Sequence, residues 1–178
     1  MKTQNLWAPW RMQYIESLKD GPPGSSPDAA PGRSFLLDYW ENPQRDAEHF
    51  VIERDDRGLI LLNLYPFTNG HLLVALGDPR PRLLDYEPAQ RAALWALVDR
   101  GTDLLERALN CQGVNIGINQ GRAAGAGVPQ HLHAHVVPRW SGDTNFITVV
   151  GEIRVIPAAL EVMYQRLRDA ALAHPRIP

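Results

Sequence analysis

The chain has 178 residues, of which 44% are hydrophobic, and a formal net charge of −2. That suffices for one ordinary core, and the charge offers no global electrostatic case for nucleic acid or an acidic membrane as partner. A single cysteine, Cys111, excludes an intrachain disulfide and a multi-thiolate metal site, and no apolar run approaches the ~20 residues of a membrane helix.

Trp7, Trp10 and Tyr14 mark an aromatic arm over residues 1–19, which lacks the apolar core of a signal peptide. With the lone cysteine, this predicts a cytoplasmic protein. Residues 20–34, DGPPGSSPDAAPGRS, read as a flexible surface loop leading into the body of a single domain spanning 1–178. Lys2 and Lys19 are the only lysines. The body therefore has none for a Schiff base or a Walker-type phosphate loop.

Residues 49–66 contain two β-rich runs around Asp55-Asp56-Arg57-Gly58, a hairpin signal. A third strand is predicted over 70–78, followed by a proline-rich loop to Arg82. Pro88 suits a first helical turn, and Leu94, Leu97, Val98, Gly101, Leu105 and Ala108 share one face. Asn110 or Gly113 should end that helix. Residues 113–121 alternate as a strand does, 121–127 are a glycine-rich loop, and 131–137 are the last predicted strand. A final helix is expected from about Pro157 to Ala173, with Leu160, Met163, Tyr164, Leu167 and Ala171 as its apolar stripe. Only one helix lies between strands, so an α+β fold with a mainly antiparallel sheet is expected rather than a doubly wound one.

Half of the chain's six histidines fall within QHLHAHVVPRW, residues 130–140. Strand alternation puts His131, His133 and His135 on one face and turns Leu132, Ala134 and Val136 to the core. Three explanations compete: a solvated face, a metal site, and nucleophilic catalysis at phosphorus. Two histidines at i, i+2 can share a zinc, but His131 and His135 would lie ~13 Å apart on a strand rising ~3.3 Å per residue. Further ligands are scarce. A neutral imidazole is a good nucleophile, and its neighbours can donate to phosphate oxygens. The preceding NQGRAAGAG adds backbone N–H donors and room for close approach.

HLHAHVV resembles the signature of the histidine triad (HIT) family, His-φ-His-φ-His-φ-φ with φ apolar. NLYPFTNGHLLVAL, NIGINQGRAAGAG and the two ends, LWAPWRMQYI and HVVPRWSGDTNF, are similar to the bacterial branch of diadenosine tetraphosphate phosphorylases and HIT-type hydrolases. The resemblance implies a HIT-like fold with a long helix packed on the sheet, a C-terminal helix, and a homodimer whose two sheets join. It also implies cleavage of a nucleotide substrate such as a dinucleoside polyphosphate, through a nucleotidyl-histidine intermediate on His133. His135 and His131 would stabilise charge or protonate the leaving group. Asn63 matches a ribose contact and Asn119 an α-phosphate contact. No cofactor is implied. The alternative is a nucleotide-binding protein of this fold with negligible turnover.

Two departures from the family pattern stand out. A serine or threonine often precedes the triad to donate to phosphate; here the stretch is Ala126-Gly127-Val128, leaving the N–H groups of Gly127 and its neighbours. Some relatives bind structural zinc through Cys-x-x-Cys near the N-terminus. The corresponding region here is SFLLD, and no metal is expected. Trp140, beyond Pro138, could stack on a base or pack at a dimer interface. Arg122 and Arg139 flank the site and could attract polyphosphate. His71 is expected to act by structural hydrogen bonding, and His49 and His174 to be exposed.

Overall fold

The computed structural model describes residues 33–144, 156 and 158–176. The arm over 1–19 lies outside them, as does the 20–34 stretch except for Arg33 and Ser34. Five strands form an antiparallel sheet: β1 (Val51–Arg54), β2 (Gly58–Leu62), β3 (Leu72–Leu76), β4 (Gly113–Ile118) and β5 (His133–Arg139). Their spatial order is β1-β2-β3-β5-β4. The predicted hairpin is the β1–β2 pair, with Asp55 accepting from the backbone N–H groups of Arg57 and Gly58. β1 to β4 are shorter than their apolar runs suggested, because the flanking residues bond into turns rather than into the ladder, and β5 keeps 7 residues but starts two positions later than predicted.

Three helices accompany the sheet in the described residues: α1 (Phe35–Glu41), α2 (Pro88–Leu109) and α3 (Leu160–Ala173). Pro88 occupies the first turn of α2, Glu87 and Gln90 form a reciprocal capping box, and Asn110 ends the helix in the left-handed conformation at φ 49°. Leu94, Leu97, Val98, Leu104 and Leu105 of α2 are buried against Ile60, Leu62, Leu72, Val74, Ala134 and Val136 of the sheet. Met163 and Leu167 of α3 complete this layer. Each buried leucine contributes about 1.5–3 kcal/mol, so α2 alone anchors one face of the sheet.

The opposite face carries a smaller cluster, Leu59, Leu61, Leu73 and Ala75, covered by Leu36 and Tyr39 of α1. Sequence reading assigns no element to 35–41. Seven residues give too few turns for a helical period to register, and the preceding loop-like composition hides the start. Ser34 is not part of a loop; it is the N-cap of α1, its hydroxyl accepting from the Leu36 N–H.

His49 is a second departure. It is buried rather than exposed, and stacks on Tyr39 with ring centroids 3.7 Å apart. His174 is exposed as expected. α3 begins at Leu160; Pro157 lies outside the described residues.

Candidate active site

β5 is hydrogen-bonded on both sides, to β3 and to β4, so its side chains are held at fixed heights above the sheet. His133 lies opposite Ala75 and His135 opposite Leu73 on β3. The two rings sit 5.1 Å apart, centroid to centroid, on the face that also carries α1. Leu132, Ala134 and Val136 point into the α2 layer, as the alternation requires. His131 differs from the expectation of three rings on one strand face. It precedes β5, in a turn where its N–H bonds Val128 O, and it is fully buried.

Hydrogen bonds settle the tautomers. His133 Nδ1 lies 2.9 Å from the His131 carbonyl, which can only accept, so Nδ1 carries the proton and Nε2 the lone pair. That Nε2 has no hydrogen-bond partner among the described residues. The Phe67 backbone N–H donates to His71 Nδ1 at 3.1 Å, so the proton of His71 resides on Nε2. His71 Nε2–H then donates to His135 Nδ1 at 3.0 Å. His135 is left with its N–H on Nε2, aimed away from this chain of bonds. One ring presents a lone pair and its neighbour a donor.

His131 is committed at both nitrogens. Nε2 donates to Leu76 O at 2.7 Å, and Nδ1 accepts from the Ser34 hydroxyl at 2.9 Å. Burial pushes His131 down to about 4. Burial, reinforced by the neighbouring His133, does the same to His135, and burial lowers His133 too. All three rings are neutral near pH 7, the state a nitrogen nucleophile requires.

Gly117 lies opposite His135 on β4, and a side chain there would meet nothing within 4 Å, so open space adjoins His135. Ile118 pairs with Ala134, next to His133 and His135, and Asn119 follows directly after the end of β4. In the glycine-rich loop, the Ala124, Gly125 and Ala126 N–H groups close turns on Gly121 and Arg122. Those of Gly127 and Val128 have no partner among the described residues and remain available as donors.

Asn63 braces His71, its Nδ2 lying 3.2 Å from Nδ1, while its Oδ1 accepts from Tyr65 N–H. Gly70, at φ 79° and against Leu109, makes the turn that delivers His71.

Trp140 is not brought to the pair. It follows Arg139, about 16 Å along the strand from His135, beside Gln112 at the start of β4. Arg139 is bound to Asp143 and Asn115. Ser34 is the residue that sequence reading missed, since a single serine at the end of a Pro/Gly-rich stretch carries no periodic signal. Among the described residues, no three His, Cys, Asp or Glu side chains converge as metal ligands.

A family model described as the HIT domain matches residues 44–142. The AP-4-A phosphorylase of Mycobacterium tuberculosis is 39% identical over 159 residues, covering 88% of this chain and 78% of that protein. The asymmetrical bis(5'-nucleosyl)-tetraphosphatase of Schizosaccharomyces pombe is 34% identical over 93 residues, 52% of this chain and 50% of that one. Among solved structures, a Zn-bound histidine triad family protein from Mycobacterium smegmatis is similar, with a TM-score of 0.62 and 33% identity over 76% of this chain and 92% of that chain. The match over more than half of the chain, carried by the same sheet that holds His133 and His135, shows that this chain belongs to the HIT family.

Proposed function

We propose that the chain cleaves a phosphoanhydride of a dinucleoside polyphosphate through a nucleotidyl-histidine intermediate on His133. One observation carries this reading: the hydrogen bonds leave His133 Nε2 as a lone pair and His135 Nε2 as a donor on adjacent rings. Nε2 of His133 attacks the α-phosphorus, the P–N bond forms, and the P–O bond to the leaving polyphosphate breaks. His133 Nδ1–H stays on the His131 carbonyl, which stabilises the charge that develops on the ring. The leaving phosphate is a stable anion, so a hydrogen bond from neutral His135 suffices without complete proton transfer. Water or inorganic phosphate then takes the nucleotidyl group and returns His133 to its starting state.

The remaining residues take supporting places in this reading. Asn119 and the Gly127 N–H hold the phosphate. Asn63 keeps His71 oriented and reaches the ribose with the capacity of its amide that His71 and Tyr65 leave unused. With both ring nitrogens engaged, His131 serves from behind the site. The position of Trp140 near the start of β4 favours an interface role over base stacking. β4 is an edge strand among the described residues, with Ile116 44% exposed, and such an edge invites pairing. The homodimer is therefore read as two sheets joined through it. No helix among the described residues is long and apolar enough to cross a membrane. The reading is of a cytoplasmic enzyme without a membrane or nucleic-acid partner.

Incubation with diadenosine tetraphosphate, with and without inorganic phosphate, tests it. AMP plus ATP means asymmetric hydrolysis, whereas two ADP would require cleavage between the inner phosphates and would overturn attack at the α-phosphorus. ADP plus ATP formed only with phosphate means phosphorolysis. Nucleotide binding without any of these products would leave a binding protein and sink the enzymatic reading.

A further inference from the structure

We propose that Ser34, the N-cap of α1, is a positioning residue for His133 and acts through His131. The inference rests on the reading of His133 as nucleophile. Ser34 is 3% exposed, and its hydroxyl has two tasks. Its oxygen accepts from the Leu36 N–H at 3.2 Å, which caps the helix, and its proton goes to His131 Nδ1 at 2.9 Å. His131 Nε2–H is spent on Leu76 O and its backbone N–H on Val128 O. The ring is thus clamped at both ends. The carbonyl of the same residue receives the His133 Nδ1–H. A buried relay therefore runs from the first turn of α1 to the nucleophile, and every donor in it has one acceptor.

The direction of the relay matters. A capping residue needs only an acceptor, so aspartate would serve α1 as well as serine does. The relay needs a donor as well. An aspartate at this position could bond His131 Nδ1 only if that nitrogen took up a proton. Nε2–H is already committed to Leu76 O, so the ring would become a cation directly behind the carbonyl that orients His133. Threonine supplies both the acceptor and the donor. The three substitutions S34A, S34D and S34T consequently separate capping from positioning.

The test is steady-state kinetics on diadenosine tetraphosphate, with folding checked by circular dichroism, and 15N imidazole spectra of the same proteins. In S34A and S34D, kcat should fall by about 10- to 100-fold with KM within about 2-fold, the loss expected when an orienting partner is removed. S34T should recover most of kcat. The spectra should show His131 with a bare Nδ1 in the wild type and S34T, and doubly protonated in S34D, with the His133 signals shifted in S34D. S34D turning over like S34T would mean that the cap alone matters, and would overturn the proposal. Wild-type kcat in S34A would overturn it too. If the wild type cleaves nothing, the reading of His133 fails but the spectra still decide the relay: His131 and His133 signals identical across all variants would refute it.

Discussion

His71 Nε2 lies 3.0 Å from His135 Nδ1, and the two rings come from strands that pair directly, β3 and β5. Because Phe67 N–H already donates to His71 Nδ1, this contact has only one workable direction. His71→Ala should leave His135 free to exchange tautomers and leave the Phe67 N–H without this acceptor. We expect kcat to fall about 10- to 100-fold and stability to drop by about 1–3 kcal/mol. Turnover assays and chemical denaturation check both; an unchanged kcat would show that the tautomer of His135 is irrelevant.

His133→Asn keeps the size and some hydrogen bonding of the nucleophile but removes the attacking nitrogen. Turnover should fall by at least ~10³-fold, roughly 4 kcal/mol in the barrier, with nucleotide affinity retained. His135→Asn should cost less, since the covalent route stays open. Mass spectrometry of quenched wild-type protein should reveal a nucleotidyl adduct on the His133 peptide. An active His133→Asn protein alongside an inert His135→Asn one would place the chemistry on the other ring.

Stability should depend on pH in a defined window. His131 and His135 are lowered to about 4 in the fold, whereas an unfolded histidine titrates near 6.5. Between these values the unfolded chain binds more protons, so acid favours unfolding. The contribution from neutral burial is complete above about pH 6.5 and is lost as pH falls towards 4. Each ring adds a slope of about 1.4 kcal/mol per pH unit, and the two together nearly 3. Urea unfolding between pH 7 and 4.5 measures this directly; a flat profile from 6.5 to 5 would contradict neutral burial.

Association through β4 should be visible in sedimentation, at about twice the 19.9 kDa chain mass. Ile116→Asp puts a charge on the exposed edge and should weaken self-association by at least about 10-fold, ~1.4 kcal/mol. A wild-type protein that stays at the single-chain mass across micromolar concentrations would remove the dimer from the proposal.

Local signals made much of this molecule legible in its sequence. Pro88, the spaced leucines and Asn110 bound α2 because helix ends and faces depend on near neighbours. The alternation HLHAHVV put His133 and His135 on one face because a strand has a period of two. His131 escaped that rule. Its partners, Ser34 and Leu76, lie 97 and 55 residues away, and they draw it out of the strand into a buried clasp. His71 meets His135 across 64 residues, and His49 is buried under Tyr39 of a helix too short to announce itself. Residue type and spacing determined which rings could do chemistry on phosphorus. The tertiary structure decided which nitrogen carries the proton in His131 and His135, because the groups that face them, Leu76 O and His71 Nε2–H, lie far away in the chain, whereas His133 takes its tautomer from the His131 carbonyl two residues away.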